Sequence, residues 1–240
     1  MKKLRLATIL LLLITAFGIS SCGLLQQGIE PRNPEDKTFD VKNFDKLEMG
    51  SAFHINVRQG ANYKINVHGD SRDIDDLIVK EVEGELKVYY SKWRIRRYRM
   101  EIDIEMPTVK EIDFSGASTS KVEGFNNLNE LEIDLSGSSR ATFITRARLY
   151  EIDLSGASEL DIEGSAQEIE VDLSGASQLN AFDMTTEKAT LDVSGASTSR
   201  VNVTRQLSVR ASGASKVRYR GNPQISSNLS GSSKVERERD

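Results

Sequence analysis

One cysteine in 240 residues excludes any disulfide within the chain. Histidine is nearly as scarce: His54 and His68 are the only two. Neither has a Cys companion or the H-x-x-x-H spacing of a zinc site, and a serine nucleophile would have few bases to choose from. Tryptophan occurs once and proline four times. Basic excess is missing too. Beyond residue 21 the chain has 29 Lys and Arg against 36 Asp and Glu, a balance that excludes a general nucleic-acid binder. Helical periodicity is absent from the second half, where no segment places apolar residues at i, i+3, i+4 and i+7. Hydrophobic content of 38% is nonetheless enough for a packed core, so wholesale disorder is excluded as well.

The one long apolar run extends from Leu6 to Phe17, short of the roughly 20 residues that span a bilayer. It follows Lys2, Lys3 and Arg5 and leads through Ser20 and Ser21 to Cys22. That order reads as an export signal. Ile19-Ser20-Ser21-Cys22 is similar to a lipobox, and the resemblance to a bacterial lipoprotein signal implies cleavage before Cys22 and acylation of that residue. The sole cysteine standing at the cleavage boundary supports the lipid-attachment reading over an incidental thiol. The expected organisation is a signal at 1–21, a tether at 22–37 and a single domain at 38–240, with a distinct N-terminal β portion at 38–106 and repeat coils at 107–235.

What the chain has in abundance is one motif. DFSGAS at Gly116 is followed by DLSGSS at Gly137, DLSGAS at Gly156 and Gly175, DVSGAS at Gly195, RASGAS at Gly213 and NLSGSS at Gly231. A near-constant period of about 20 residues is the signature of a solenoid. Before each glycine apolar residues alternate with polar ones, as in Ile152 and Leu154, and a second short alternation follows, as in Leu160 and Ile162. Period two means strands with one buried face. Each coil therefore reads as strand, SGAS turn, strand and second turn, the last often marked by Gly124, Gly164 or Gly221. The predicted fold class is all-β: a single-stack parallel β-helix or β-solenoid with SGAS-type corners, capped by an N-terminal β-hairpin region. In that region FHINVRQGANYKINVHG reads as two strands about Gly60, and VKEVEGELKVYY as a hairpin at Glu83-Gly84. DSRDIDDLI reads as a short helical turn, and Gly50 as the corner of a degenerate first coil.

Three features invite chemistry. The serines flanking each glycine are repeated seven times, whereas catalysis needs one, and they do not fit G-x-S-x-G; they read as corner-builders. Asp113, Asp134, Asp153, Asp172 and Asp192 sit three residues before their glycines. In stacked coils they would form a column with about 4.8 Å between neighbours, a candidate ladder for cations such as Ca²⁺. The favoured reading is a solvated face with Lys121, Arg140 and Arg200 reaching in. KWRIRRYR, from Lys92 to Arg99, is the one strongly basic segment. Trp93, Arg94, Arg96, Arg97, Tyr98 and Arg99 form a candidate contact for an acidic glycan or lipid headgroup, weighed evenly against an edge strand protected by its charges.

The run FHINVRQGANYKINVHGD, the segment LIVKEVEGELKVYY, MPTVKEIDFSGAS and the serial SGAS coils together resemble the auto-transporter adhesin head-GIN-domain family of bacteria, over about residues 39–235. The resemblance implies an exported, often lipid-anchored β-solenoid of the cell envelope, common in Bacteroidetes-like bacteria. It supplies no catalytic residue, cofactor or metal site. The expected function is a non-enzymatic, adhesin-like binding or structural module, held in the outer membrane by its lipid on the periplasmic side or the cell surface. A carbohydrate-active β-helix enzyme and a signalling accessory that binds an envelope protein are the alternatives.

Overall fold

The structure, a computed structural model, describes residues 29–238. The signal segment and Cys22 lie outside the described residues. Strands dominate, and they stack into a solenoid with two faces. The first face carries β8 (Glu111–Phe114), β10 (Leu128–Leu135), the latter halves of β11 (Arg140–Leu154), β12 (Glu159–Leu173), β13 (Gln178–Val193) and β14 (Thr198–Ala211), and then β16 (Gln224–Leu229). The second carries β9 (Thr119–Glu123), the opening halves of β11 to β14, β15 (Lys216–Arg220) and β17 (Lys234–Arg237). All these pairings are parallel.

Period-two sequence and in-register stacking together make the core. Ile112, Ile133, Ile152, Val171, Leu191 and Val209 align strand to strand and are buried. On the second face Ala141, Leu160, Leu179 and Val217 do the same, interrupted by Ser120 and Ser199. Both serines are buried, and neither hydroxyl finds a hydrogen-bond partner. A single coil could not bury its own inner surface, so stability belongs to the stack.

The SGAS corner is fixed by backbone geometry. Gly156 has φ +73°, and a Cβ there would stand 2.5 Å from the carbonyl oxygen of Gly137 in the coil before. The same close approach recurs along the glycine column, and it makes room for Ala157 N to donate to Gly137 O at 2.8 Å. Glycine is required both for the left-handed conformation and for the absence of a side chain. The second corner differs from the expected turn. β11 to β14 each run through it as one bent strand of 14 to 16 residues. Here Thr145 Oγ1 and the Tyr150 hydroxyl bond at 2.9 Å inside the bend.

The N-terminal portion continues the stack out of sequence order. β2 (Lys46–Met49) lies on β8, and β3 (Phe53–Gln59) on β9. Residues 46–59 are therefore a full coil, as expected, but Ser51 rather than Gly50 takes the glycine position of its corner, with φ 107°. β6 (Glu85–Tyr90) then lies on β2 and β7 (Met100–Met106) on β3, both parallel. Antiparallel strands close this end. β5 (Leu77–Val82) pairs with β6 through the predicted Glu83-Gly84 hairpin. β4 (Lys64–Asp70) pairs with β7, and β1 (Pro34–Phe39) with β4. The predicted helical turn is α1 (Ser71–Ile74), its first turn capped by the Asp70 side chain.

β1 corrects the expected tether. Residues 34–37 belong to the sheet, and upstream Ile29 already bridges to Tyr98. Among the described residues no helix is long and apolar enough to cross a membrane.

Candidate functional site

The corner serines are structural. Ser139, Ser158 and Ser177 are buried and donate to the carbonyls of Ser136, Ser155 and Ser174 at 2.7 to 2.8 Å. Ser158 and Ser215 also reach the carbonyls of Leu135 and Val193 in neighbouring coils at 3.1 Å. A hydroxyl whose one proton is taken up by backbone carbonyls, shared between two of them at Ser158, is mortar for the turn.

The aspartates form the column that the repeat requires. Asp113, Asp134, Asp153, Asp172 and Asp192 are strand-to-strand partners on the first face. The cations expected to reach them do not. Lys121 pairs with Glu123 at 2.6 Å and Arg140 with Glu159 at 2.8 Å, and Arg200 stacks beside Asn180, all on the second face. The column is met by cations in register only at its ends. Lys87 pairs with Glu48 ahead of Asp113, and Arg210 follows Asp192. Carboxyls that no cation meets are raised. Burial first, and then Asp153, Glu132, Asp113 and Glu111, push Asp134 up to about 6. Asp113, Glu151 and Asp172 are raised in the same way, burial again leading. Among the described residues no group of three or more His, Cys, Asp or Glu is placed to hold a metal ion.

The basic segment occupies a place that sequence inspection missed. β2 and β3 are joined by three residues, Gly50 to Ala52. β6 and β7 occupy the same two positions one coil outward, where Val88 stands over Met49 and Met100 over Phe53. The chain between them runs from Tyr89 to Arg99. KWRIRRYR is therefore an enlarged corner, set at the end of the column of tight ones. The signal was available: LEM at 47–49 and LKV at 86–88 share one alternation, and so do FHINVRQ and MEIDIEM.

Its arginines divide into two groups. Arg96 is turned inward: its side chain is only 11% exposed, and it forms ion pairs with Asp73 and with Asp76, the latter at 3.0 Å. It also stacks on Tyr90, 3.6 Å from the ring centroid, and donates to Lys92 O at 2.9 Å. Arg94 pairs with Asp76 as well, and Lys92 approaches the same carboxylate at 3.2 Å. Burial pushes Asp76 up, but Arg96, Lys92 and Arg94 outweigh it and hold the carboxyl below its usual range. Arg99 leans on Glu101 at 3.3 Å. Within the six-residue contact expected from sequence, the side chains stand in different places. Arg96 is a brace, Arg94 and Arg99 are held by carboxylates, and Arg97 projects without an ion-pair partner among the described residues.

Held in this way, the corner presents its apolar side chains to solvent. Trp93 is 95% exposed and Ile95 77%. A groove of about 540 Å³ runs between the enlarged corner and the tight corner of the next coil, lined by Ser51, His54, Tyr89, Trp93, Arg97 and Tyr98 among others. No carboxylate lines it. Burial, with Arg99 adding to it, lowers the pKa of His54. A smaller hollow of about 270 Å³ opens beside it, between Ile29, Arg72, Ile95 and Arg97, with Asp70 and the Arg96-paired Asp73 also in its wall.

Residues 43–223 match the model of a family described as "Putative auto-transporter adhesin, head GIN domain". The chain belongs to that family. Solved structures agree on the fold. An adhesin of Bacteroides fragilis, described as putative, superposes with a TM-score of 0.76 at 20% identity, over 88% of this chain and 100% of that one. A "putative lipid binding protein" of Parabacteroides distasonis gives 0.71 at 20% identity, over 88% and 99%. A third, an adhesin of Parabacteroides merdae again described as putative, gives 0.68 at 16%, over 88% and 99%. No curated protein matches the sequence. Family membership makes this an adhesin-like β-solenoid.

Proposed function

We propose that this chain is a non-enzymatic binding module of the bacterial cell envelope, lipid-anchored through Cys22 and making contact through the enlarged corner at 89–99. One observation carries the reading. Along the stack the outward Asp position recurs from Asp113 to Asp192, whereas Trp93 and Ile95, the most exposed large apolar side chains among the described residues, stand proud with Arg97 at a single place, beside a groove. A site must be unique, and in a solenoid uniqueness requires a break in the repeat. An exposed tryptophan next to an unpaired guanidinium suits contact with an acidic partner.

The rival reading, a carbohydrate-active enzyme, needs a localised acid and base. The groove offers no carboxylate, Asp73 and Asp76 beside it are committed to Arg96, and the Asp column of the first face recurs from coil to coil. Two measurements test the proposal. Cys22→Ser should abolish acyl labelling and move the protein from the membrane to the soluble fraction. Trp93→Ala with Arg97→Gln should remove whatever contact the protein makes with acidic ligands while leaving its melting temperature in place. Retention of full binding by that double variant would place the contact elsewhere.

A further inference from the structure

The enlarged corner and the start of the described chain are tied together. Ile29 N donates to Arg97 O, and Arg99 N donates to Ile29 O, both at 2.9 Å. Cys22 is seven residues upstream of Ile29, so a lipid on it lies within about 25 Å of the corner even when the chain is fully extended. The side chains turned outward here suit an interface between water and hydrocarbon: Trp93, Ile95 and Ile29 exposed, with Arg72 and Arg97 beside them. Arg96, clamped between buried Asp73 and Asp76, ties the corner back to the cap.

We infer that the 89–99 corner docks on the bilayer that holds the anchor, with Trp93 and Ile95 entering the interface and Arg72 and Arg97 on anionic headgroups, so that the solenoid stands with its β6–β7 end toward the membrane and its β16–β17 end away. This deepens the preceding proposal and rests on it for the lipid at Cys22. The physics is that of two-signal attachment. Acyl chains hold the protein at the surface, and an aromatic and basic patch fixes its orientation there. Arginines 94 and 96 are spent on internal carboxylates, which leaves Trp93 and Ile95 to make the apolar contact. A corner of three residues would have closed the coil, as it does at Gly50 to Ala52. The added length brings Arg96 back to Asp73 and Asp76 and turns Trp93 and Ile95 outward.

Trp93 is the only tryptophan, so intrinsic fluorescence reports on this corner alone. The test uses the acylated protein purified from its own membrane and reconstituted into vesicles of phosphatidylglycerol and phosphatidylcholine. The expected result is a blue-shifted Trp93 emission, quenched by brominated acyl chains and shielded from aqueous iodide. The acylated protein floating with the vesicles while Trp93 remains open to iodide and untouched by bromolipid would overturn the docking and leave the anchor intact. If Cys22 carries no lipid, the same vesicles added to the soluble protein must still give the bromolipid quench. Arg72→Gln and Arg97→Gln should then each weaken partitioning about fivefold. Absence of quench in that arm overturns the docking, and so does shielding of Trp93 by a soluble acidic glycan with no lipid effect.

Discussion

Replacing Asp134 by Asn should make this protein more stable at neutral pH, and the gain should vanish in mild acid. Asp134 sits mid-column, with Asp113 and Asp153 in register on either side. Its carboxyl is raised from 3.8 to about 6. In the unfolded chain it is ionised above about 4, so between about pH 4 and pH 6 the native state binds the extra proton. Stability from this group is fully present below the unfolded value and is lost as pH rises through the folded one. Two units at about 1.4 kcal/mol each set a ceiling near 3 kcal/mol. The outer rim of the column is solvated, so roughly 1 to 1.5 kcal/mol is the figure to expect after screening. Asparagine has nearly the same shape and carries no charge. Urea unfolding of wild type and Asp134→Asn at pH 7.5, 6, 5 and 4 gives the difference directly, read from the midpoint at constant m-value. The variant should lead by that amount at pH 7.5 and converge with wild type by about pH 4, with a smaller lead in high salt. A difference independent of pH would refute the electrostatic account. A rise in wild-type melting temperature with millimolar Ca²⁺, absent in the variant, would show that cations rather than protons relieve the column.

Gly156→Ala places a Cβ 2.5 Å from Gly137 O at φ +73°; a loss of about 2 kcal/mol or more in thermal or urea unfolding is expected, and a loss under about 0.5 kcal/mol would show that the corner can relax. Ser199→Ala removes a buried hydroxyl that has no partner, so its urea midpoint should rise, equivalent to about 1 kcal/mol. Arg96→Gln leaves Asp73 and Asp76 without their shared clamp and should lower the melting temperature. Arg97→Gln, at an exposed position, should change stability by less than about 0.5 kcal/mol; equal effects of the two substitutions would contradict the division between brace and contact.

The solenoid was legible because translational repetition writes itself into sequence. Each apolar pair such as Ile152 and Leu154 occupies the same place in every coil, and Gly156 fits only where a carbonyl from the preceding corner must approach. The order of the first coils was not legible. β6 lies on β2 although β3, β4, α1 and β5 separate them in the chain, and β7 inserts between β3 and β4. Local periodicity states which face of a strand is buried and is silent about which strand lies beside it. For the same reason KWRIRRYR looked like a uniform basic patch. Only the tertiary contact with Asp73 and Asp76 separates Arg96 from Arg97. Asp73 and Asp76 lie about twenty residues before Arg96 in the sequence, yet the three form one buried ion-pair cluster that shapes the corner.

That cluster explains how an irregular element can sit on so regular a body. A solenoid end must present inner surface and unpaired strand edge, both hazards for association. Here β5, β4 and β1 cover the end with antiparallel strands, and they position α1, which carries Asp73, and Asp76 just beyond it, against the enlarged corner. A buried carboxylate pair is costly unless a cation meets it, and Arg96 can reach them only if the β6–β7 connection is long enough to fold back. The cap and the enlarged corner therefore depend on one another: shortening the corner would strand two charges, and removing the charges would free the corner. Arg97, Ile95 and Trp93 take part in none of these contacts. They can vary without disturbing the stack, which is the condition under which one common scaffold can carry different binding surfaces.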